Sequence, residues 1–191
     1  MAAHEELWIF GYGSLMWDPG FAYLEREAAL LRGYHRAFCI YSRRYRGTPE
    51  LPGLVLGLQP GGSCRGIAYR VAPVRREEVF AYLHEREMTG NVYEQRALPV
   101  ELVGGQRRVH AYAHITKCGH PQHTGPLEFE RIAELICQGH GTRGPCAEYL
   151  VNTVRHLDEL GIKDGPMHEL LRYVEARRGT AKPPARPRRQ P

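Results

Sequence analysis

Hydrophobic and polar residues follow two different periods along this chain, and these periods distinguish predicted strands from predicted helices. Runs rich in β-branched and aromatic residues, placed between turn-forming segments, predict strands. Residues 59–63, with the sequence Gln-Pro-Gly-Gly-Ser, and the pair Gly104-Gly105 each separate two such runs and therefore predict two hairpins. The predicted strands are residues 8–10, 27–31, 36–41, 54–58, 66–71, 96–103 and 107–115, with an interruption near Gly33.

Apolar residues at spacings of three and four predict four helices, over residues 75–88, 126–138, 146–160 and 166–177. In the first of these helices, Val79, Phe80 and Leu83 share one face. The number of antiparallel strands favours a sheet that curls or closes into a small barrel. We therefore expect an α+β fold, a curled sheet or closed barrel with surrounding helices, in a single domain over residues 1–179.

The net charge of +5 is concentrated at one end of the chain. Residues 180–191 contain four basic residues and no acidic one, which leaves +1 for the rest. Four prolines in the same segment predict a disordered, basic, proline-rich tail. The remainder has no charge excess that would favour nucleic acid.

Other features exclude further classes of protein. We find no run of about 18 apolar residues, so no membrane span is expected. The first six residues lack the basic and apolar regions of a signal peptide. The five cysteines are odd in number and form no Cys-x-x-Cys pair, which argues against a disulfide framework. We expect a cytoplasmic protein, and the sequence does not indicate its oligomeric state.

Candidate chemistry begins where the first predicted strand ends, in the segment Phe10-Gly11-Tyr12-Gly13-Ser14-Leu15. Two glycines separated by one residue let the backbone turn sharply and direct its N–H groups outward. Such a loop can hold a carboxylate or a developing oxyanion, although a plain turn explains the glycines equally well. We expect Gly13 to adopt the positive φ that glycine turns often use.

Common glycine-loop motifs do not fit this segment. The dinucleotide-binding motif needs a third glycine where Met16 stands, and the phosphate loop that ends in Gly-Lys-Ser/Thr is absent. The nucleophile elbow needs glycines two residues on either side of Ser14, where the chain has Tyr12 and Met16.

Glu87 is the most informative single residue. It lies four residues after Leu83 and eight after Val79, so a helix would place its carboxylate on the apolar face. Burial and the negative end of the helix dipole both disfavour the ionised form, so we expect a raised pKa, which suits a general base. A structural glutamate paired with Arg44 or Arg86 is the alternative reading.

Other residues compete for a role in catalysis. Glu85 is predicted to point away from the apolar face, and Glu77 and Glu78 lie in the first helical turn, where acidic residues are common. Of the neighbours Arg43 and Arg44, one should face a pocket if both lie on a strand. His110, His114, Cys118, His120 and His123 are potential metal ligands, but their spacing matches no known zinc motif, so we expect no metal site.

Taken together, several short motifs resemble the γ-glutamylcyclotransferase superfamily, and in particular its ChaC branch of glutathione-specific enzymes. The loop resembles the substrate loop of that superfamily, and its extension through Met16-Trp17 resembles the ChaC branch. Their order along residues 7–175 makes the set specific. The further matching segments are residues 41–44, 53–58, 86–87 and 148–150.

The resemblance implies cleavage of glutathione to 5-oxoproline and cysteinylglycine, with no cofactor and no metal. It implies that Glu87 is the catalytic acid/base. Tyr149 lies on the predicted inward face of its helix and would otherwise be a core tyrosine, but the resemblance makes it a substrate contact. The substrate-binding residues implied are Ile9, Phe10, Gly11, Tyr12, Gly13, Ser14, Leu15 and Tyr149.

Two alternatives remain open at this point. The substrate could be another γ-glutamyl compound, such as a γ-glutamyl amine, or the fold could serve as a binding or regulatory module without catalysis. A carboxylate on an apolar helix face argues for catalysis, because a binding module has no need of it.

Deleting residues 180–191 tests the predicted tail. The segment has no apolar face to bury, so the truncated protein should keep its activity and its free energy of unfolding within about 0.5 kcal/mol. Thermal and urea unfolding of both proteins measure this. A large loss of stability would show that the tail docks on the rest of the chain.

Overall fold

The structure is a computed structural model that describes residues 6–87, 90–105 and 107–179, without the side chain of Glu87. The predicted tail, residues 180–191, lies outside the described residues. The described strands are β1 (Leu7–Gly11), β2 (Glu25–Ser42), β3 (Gly53–Val71), β4 (Tyr93–Leu102), β5 (Arg107–Thr116), β6 (His140–Gly141) and β7 (Gly144–Pro145). The described helices are α1 (Arg76–Glu87), α2 (Phe129–Gln138), α3 (Cys146–Glu159) and α4 (Gly165–Gly179).

Five of the strands form a closed barrel in the order β1-β3-β2-β4-β5. Strand β1 runs antiparallel to β3 and parallel to β5, which closes the barrel. A closed barrel leaves no unpaired strand edge. The expected α+β fold with a small closed barrel and helices is therefore confirmed.

One of the two predicted hairpins is confirmed and the other is wrong. Strands β4 and β5 pair antiparallel from Tyr93 opposite Thr116 to Leu102 opposite Arg107. Residues 59–63, in contrast, lie within the continuous strand β3. There the positive φ values of Gly61 (97°) and Gly62 (70°) distort the strand without reversing it.

The interruption predicted near Gly33 is also absent, because β2 continues through that residue. Gly33 has a φ of 83°, which a residue with a side chain rarely adopts. A single glycine of this kind bends a strand locally and leaves the pairing on either side intact. The turn-forming glycines were correctly located, but their effect on the strands was overestimated.

The described residues divide into two compact units, and the first contains residues up to 40 and 56–125. It holds most of the barrel and α1. The apolar face of α1 is buried as predicted, with Val79 1% and Leu83 0% exposed. These two side chains pack in a cluster with Leu7, Ile9, Leu15 and Val71, bordered by Phe80 and Tyr112. Helix α1 is thus attached to β1 and to the loop that follows it.

The second unit contains residues 41–55 and those from 126 onward. Helices α2, α3 and α4 pack against one another there, with Ile136, Leu150 and Leu170 buried. Cys146, the first residue of α3, donates from Sγ to the carbonyl of Leu54 (3.0 Å) and accepts from its amide (3.3 Å). No helix in the described ranges is long and apolar enough to cross a membrane.

Candidate active site

The segment after β1 forms a tight loop whose carbonyl groups are engaged. The chain leaves β1 at Gly11 and enters a 3-10 turn at Ser14–Met16. The carbonyl of Gly13 accepts from the amide of Met16 (2.9 Å), and that of Ser14 accepts from Asp18 (2.9 Å). The hydroxyl of Tyr69 donates to the carbonyl of Leu15 at 2.8 Å. These bonds fix the orientation of successive peptide planes.

Arg36, on β2, fixes the first of these planes. Its side chain is only 6% exposed, and its Nε donates to the carbonyl of Tyr12 at 2.5 Å. Its Nη2 donates to the carbonyl of Arg65 at 2.6 Å. A buried guanidinium requires such partners, because an unpaired charge in the interior costs much free energy. The carbonyl of Tyr12 therefore points at Arg36.

These hydrogen bonds of the loop carbonyls leave three consecutive backbone amides available to bind a ligand. In a trans peptide the N–H points away from the preceding carbonyl, so the amides of Gly13, Ser14 and Leu15 point away from the partners of those carbonyls. Among the residues that the structure describes, none accepts a hydrogen bond from these three amides. Adjacent unpaired amides form a concave anion-binding site. The prediction that this loop directs its backbone N–H groups outward thus has a geometric basis.

Arg86 connects this loop to the end of α1. Its Nη2 donates to Ser14 Oγ at 2.9 Å, and its Nη1 donates to the carbonyl of Asp18 and to Tyr82 Oη, both at 2.7 Å. The side chain is only 10% exposed. The next residue in the chain is Glu87, which ends α1. The backbone that carries the expected acid/base is therefore fixed against the loop.

The roles of Arg36 and Arg86 were missed in the sequence. The sequence offers Arg86 as an alternative ion-pair partner of Glu87. Its position next to Glu87, in a segment that resembles the family, is a usable signal for a role in the site. Arg36 gave no signal, because an arginine within an alternating strand pattern is usually a solvent-exposed residue. Only the closed barrel shows that this position is interior.

The side chain of Glu87 lies outside the described residues, so its raised pKa stays a prediction. The competing carboxylates are described, and Glu77, Glu78 and Glu85 are all exposed. Glu78 also pairs with Arg75 at 3.2 Å on the surface. These exposed carboxylates lack the buried setting that we expect of the catalytic acid/base.

The loop requires glycine for a different reason than expected. Gly13 has a φ of −127°, so the expectation of positive φ there is wrong. At Gly11, a Cβ atom would lie 3.0 Å from Leu15 Cβ and 3.2 Å from the Leu15 carbonyl carbon. The close approach of Gly11 to the 3-10 turn is therefore the reason that this position requires glycine.

The histidine-rich segments do not gather into a metal site in the described part of the chain, where no three potential ligands cluster. His123 contacts Gln59 and the carbonyl of Cys118 through its two ring nitrogens, at 2.9 and 3.0 Å. His110 is exposed. His114 differs, because it is buried and neither ring nitrogen has a partner among the described residues. Each unpaired buried polar group costs about 1–3 kcal/mol.

Tyr149 belongs to the second unit and lies on α3, half-buried. The guanidinium of Arg46 lies 5.4 Å from the centre of its ring, within the range of a cation–π contact. Arg46 is itself held by the carbonyls of Arg143 (2.6 Å) and Pro145 (3.1 Å). The role of Tyr149 as a substrate contact stays a prediction.

The expectation for Arg43 and Arg44 rested on a strand that does not reach them. Strand β2 ends at Ser42, and both arginines are exposed. The side chain of Arg44 lies over the ring of Tyr45 at 5.4 Å. The alternation argument therefore does not apply, and Arg46 is the cation that is fixed next to Tyr149.

Gly11→Ala tests whether the close approach at Leu15 controls activity. The added methyl must displace the 3-10 turn by a few tenths of an ångström, and small misplacements of a reacting group are costly, so kcat/KM should fall at least about tenfold. Gly119→Ala is the matched control, since no atom lies within 4 Å of its added Cβ. Equal activity of the two variants would contradict this prediction.

Comparison with known proteins gives a consistent result. A family model described as ChaC-like protein matches residues 7–177. A glutathione-specific γ-glutamylcyclotransferase of Escherichia coli K12 is 37% identical, over 88% of this chain and 73% of that protein. A glutathione-specific γ-glutamylcyclotransferase 1 of Danio rerio is 36% identical, over 79% of each chain.

A solved structure agrees with the sequence comparison. The crystal structure of a γ-glutamyl cyclotransferase from yeast, described as specific to glutathione, superposes with a TM-score of 0.82 at 25% identity. The match covers 90% of this chain and 96% of the yeast chain. The barrel and helices described above are therefore those of a known fold, and the matched region contains the loop, α1 and α3. This chain belongs to the ChaC-like protein family.

Proposed function

We propose that this protein cleaves the γ-glutamyl bond of glutathione and releases 5-oxoproline and cysteinylglycine. Three loop amides that have no acceptor among the described residues, fixed next to the end of α1 by Arg86, carry this proposal. They provide a site for a carboxylate or an oxyanion beside the backbone of Glu87. The names of the relatives from E. coli and D. rerio support the choice of substrate.

The reaction is an intramolecular displacement. The α-amine of the γ-glutamyl group attacks its own γ-carbonyl carbon, which forms the new C–N bond of 5-oxoproline and a tetrahedral oxyanion. The original amide C–N bond then breaks, and cysteinylglycine leaves as an amine. The α-ammonium loses two protons on becoming the lactam N–H. The leaving nitrogen gains one proton as the C–N bond breaks and a second when cysteinylglycine becomes an ammonium in water.

Glu87 transfers one of these protons in our proposal. It accepts a proton of the α-ammonium as general base and returns it to the leaving nitrogen as general acid. A carboxylate with a raised pKa suits both steps, because it can hold and release a proton near neutral pH. Glu87 directly follows Arg86 in the chain. The contacts of Arg86 with Asp18 and Ser14 hold this end of α1 beside the loop, and they support the assignment of Glu87.

The loop stabilises the charge that develops on the γ-carbonyl oxygen. Preorganised amides need no reorganisation during the reaction, so their donation is worth more than that of water. Ile9 and Phe10 are fully buried and hold the loop in place from β1. In our proposal, the backbone from Gly11 through Leu15 contacts the substrate. Tyr149 remains a proposed substrate contact.

The protein needs no nucleophile of its own, because the substrate supplies one. Well-oriented intramolecular reactions reach effective molarities on the order of 10⁵–10⁸ M. Binding the γ-glutamyl group in a curled conformation therefore provides much of the rate enhancement. The absence of a nucleophile elbow in the sequence agrees with this mechanism.

A cytoplasmic location is part of the proposal. The five cysteines are free thiols in the structure, and none pairs with another. Burial raises the pKa of Cys39 and of Cys146 to about 11. Free thiols in this number are typical of a reducing compartment.

Incubation with glutathione tests the activity. The protein should release 5-oxoproline and cysteinylglycine in equal amounts, without added metal or nucleotide and in the presence of a chelator. Chromatography of both products measures this, and a γ-glutamyl amine assayed in parallel tests substrate choice. Activity that is lost to the chelator and restored by zinc would contradict the mechanism.

Glu87→Gln tests the assigned acid/base. The amide keeps the size of the side chain but cannot take up a proton, so kcat should fall roughly 10²–10⁴-fold while the protein folds normally. Stability should hold or rise slightly, since a buried amide is less costly than a buried carboxylate. Glu85→Gln, a change of an exposed residue on the same helix, is the matched control and should stay active.

A structural role for Glu87 predicts the reverse result. Removing one partner of a buried ion pair would cost roughly 3–5 kcal/mol, with activity lost only as the fold is lost. Thermal unfolding and the glutathione assay on the same samples distinguish the two roles. A folded, fully active Glu87→Gln protein would refute the mechanism.

A further inference from the structure

Tyr69 is a buried tyrosine of β3 whose hydroxyl group reaches the loop after β1. The residue is 1% exposed and lies opposite Ile9 in the antiparallel pair of β1 and β3. Its hydroxyl donates to the carbonyl of Leu15 at 2.8 Å and to that of Met16 at 2.9 Å. A phenol has one proton, so this proton is shared between two successive carbonyls of the 3-10 turn.

These two carbonyls stand at the end of a helical turn, where partners are normally lacking. The last carbonyls of a helix have no amide within the helix to bind, so a side chain or water must provide the donor. The turn Ser14–Met16 receives this donor from a neighbouring strand. Tyr69 thus caps the turn from β3, and the cap is anchored in the barrel.

Aromatic neighbours hold the Tyr69 side chain in this position. The ring of Phe21 packs edge-on with 5.7 Å between ring centres, and the ring of Tyr23 lies at 5.0 Å. The amide of Leu24 binds this segment back to β3 through the carbonyl of Arg70 at 2.7 Å. Burial raises the pKa of Tyr69 to about 12, so the hydroxyl keeps its proton near neutral pH and remains a donor.

The hydrogen bond to Leu15 determines the direction of an amide two peptide groups away. The Leu15 carbonyl and the Met16 amide belong to one peptide group, and that amide donates to the carbonyl of Gly13 at 2.9 Å. The Gly13 carbonyl in turn shares its peptide group with the amide of Ser14. In a trans peptide the carbonyl and the N–H point in opposite directions, so holding the Leu15 carbonyl also sets the direction of the Ser14 amide.

This contact complements that of Arg36 at the other end of the loop. Arg36 fixes the carbonyl of Tyr12 and thereby the amide of Gly13. Tyr69 fixes the peptide groups of the 3-10 turn through a neutral donor. Preorganised donors stabilise a developing charge because they need no reorientation during the reaction. The loop amides are therefore aimed from two different strands, β2 and β3.

We propose that Tyr69 is a positioning residue for the reaction, and that its hydroxyl aims the Ser14 amide at the oxyanion that forms on the γ-carbonyl of the substrate. This inference rests on the proposed function. Tyr69 does not touch the substrate in this role, because it acts through the peptide groups of the turn. Loss of the hydroxyl frees the turn to rotate, which weakens a hydrogen bond that counts mainly in the transition state.

Tyr69→Phe tests this role, because it removes the hydroxyl and keeps the ring. With glutathione, kcat should fall roughly 10- to 100-fold, since an oxyanion donor is misaimed but not removed, and KM should change less than about threefold. Tyr93→Phe is the matched control. Tyr93 is 8% exposed and donates its hydroxyl to the backbone carbonyl of Leu56 at 2.8 Å, outside the loop. This control should keep kcat within about twofold of the unmodified protein.

The melting temperature separates positioning from folding. Both variants lose a buried hydrogen bond, so both should melt at a lower temperature than the unmodified protein. Rates are therefore compared well below both melting temperatures. A folded Tyr69→Phe protein with the same kcat as Tyr93→Phe would overturn the inference, and so would a loss that appears only in KM.

Hydrogen exchange gives a second readout that does not depend on turnover. The Met16 amide donates to Gly13 within the turn that Tyr69 caps, so it should exchange at least about fivefold faster in Tyr69→Phe. The amides of β1 should be accelerated much less, and in Tyr93→Phe the Met16 amide should change no more than they do. Equal acceleration of Met16 and β1 in Tyr69→Phe would show general destabilisation only, which would overturn the inference.

Two replacements of similar shape keep the test decisive if Tyr69→Phe does not fold. At position 69, 4-methylphenylalanine and 4-aminophenylalanine both fill the space of the hydroxyl, but only the amine offers an N–H donor. The amine variant should have the higher kcat by at least about fivefold, and equal values would overturn the inference. If the unmodified protein does not cleave glutathione at all, the proposed function fails. An active protein that tolerates loss of the Tyr69 hydroxyl is a different outcome, in which only the role of Tyr69 fails.

Discussion

The hydrogen bond from Arg36 to the carbonyl of Tyr12 is the constraint on which the candidate site depends. A guanidinium buried in the barrel needs acceptors, and the backbone carbonyls of Tyr12 and Arg65 provide them. The Tyr12 carbonyl therefore points toward β2, and the amide of the same peptide group, which belongs to Gly13, points away. The direction of this amide follows from the burial of a cation more than from the two glycines.

A second arginine holds the same loop from α1. Arg86 binds Ser14, Asp18 and Tyr82, so the end of the helix and the loop form one rigid arrangement. Electrostatic stabilisation of a developing charge depends on donors that are fixed before the reaction starts. The two arginines provide this fixation in the structure. Arg86 also lies 3.8 Å from the carboxylate of Asp18, which partly balances its charge.

The sequence predicted the parts of the structure that depend on local pattern. The spacing of apolar residues predicts the buried face of α1, and Gly104-Gly105 between two strand patterns predicts the hairpin of β4 and β5. The number of antiparallel strands predicts a curled sheet or a closed barrel, and the structure has the closed barrel. Gly61 and Gly62 were misread, since the same positive φ values serve a reversing turn or a distorted strand. Only the pairing partners of the strand decide between them.

The sequence predicts a candidate site at the loop after β1, but it does not contain the contacts that give this loop its geometry. The loop was found through its motif, yet the need for glycine at Gly11 comes from Leu15, a contact that forms only in the folded chain. Arg36 became notable only when the structure showed that it is buried. A pattern of residue types does not contain this information.

The buried thiols have a consequence for a protein whose proposed substrate is glutathione. Thiol–disulfide exchange requires a thiolate, and at pH 7 a thiol with a pKa of about 11 is ionised in only about one molecule in ten thousand. Cys39 and Cys146 should therefore resist mixed-disulfide formation with oxidised glutathione. Cys118, which is exposed, is the thiol at which S-glutathionylation would begin.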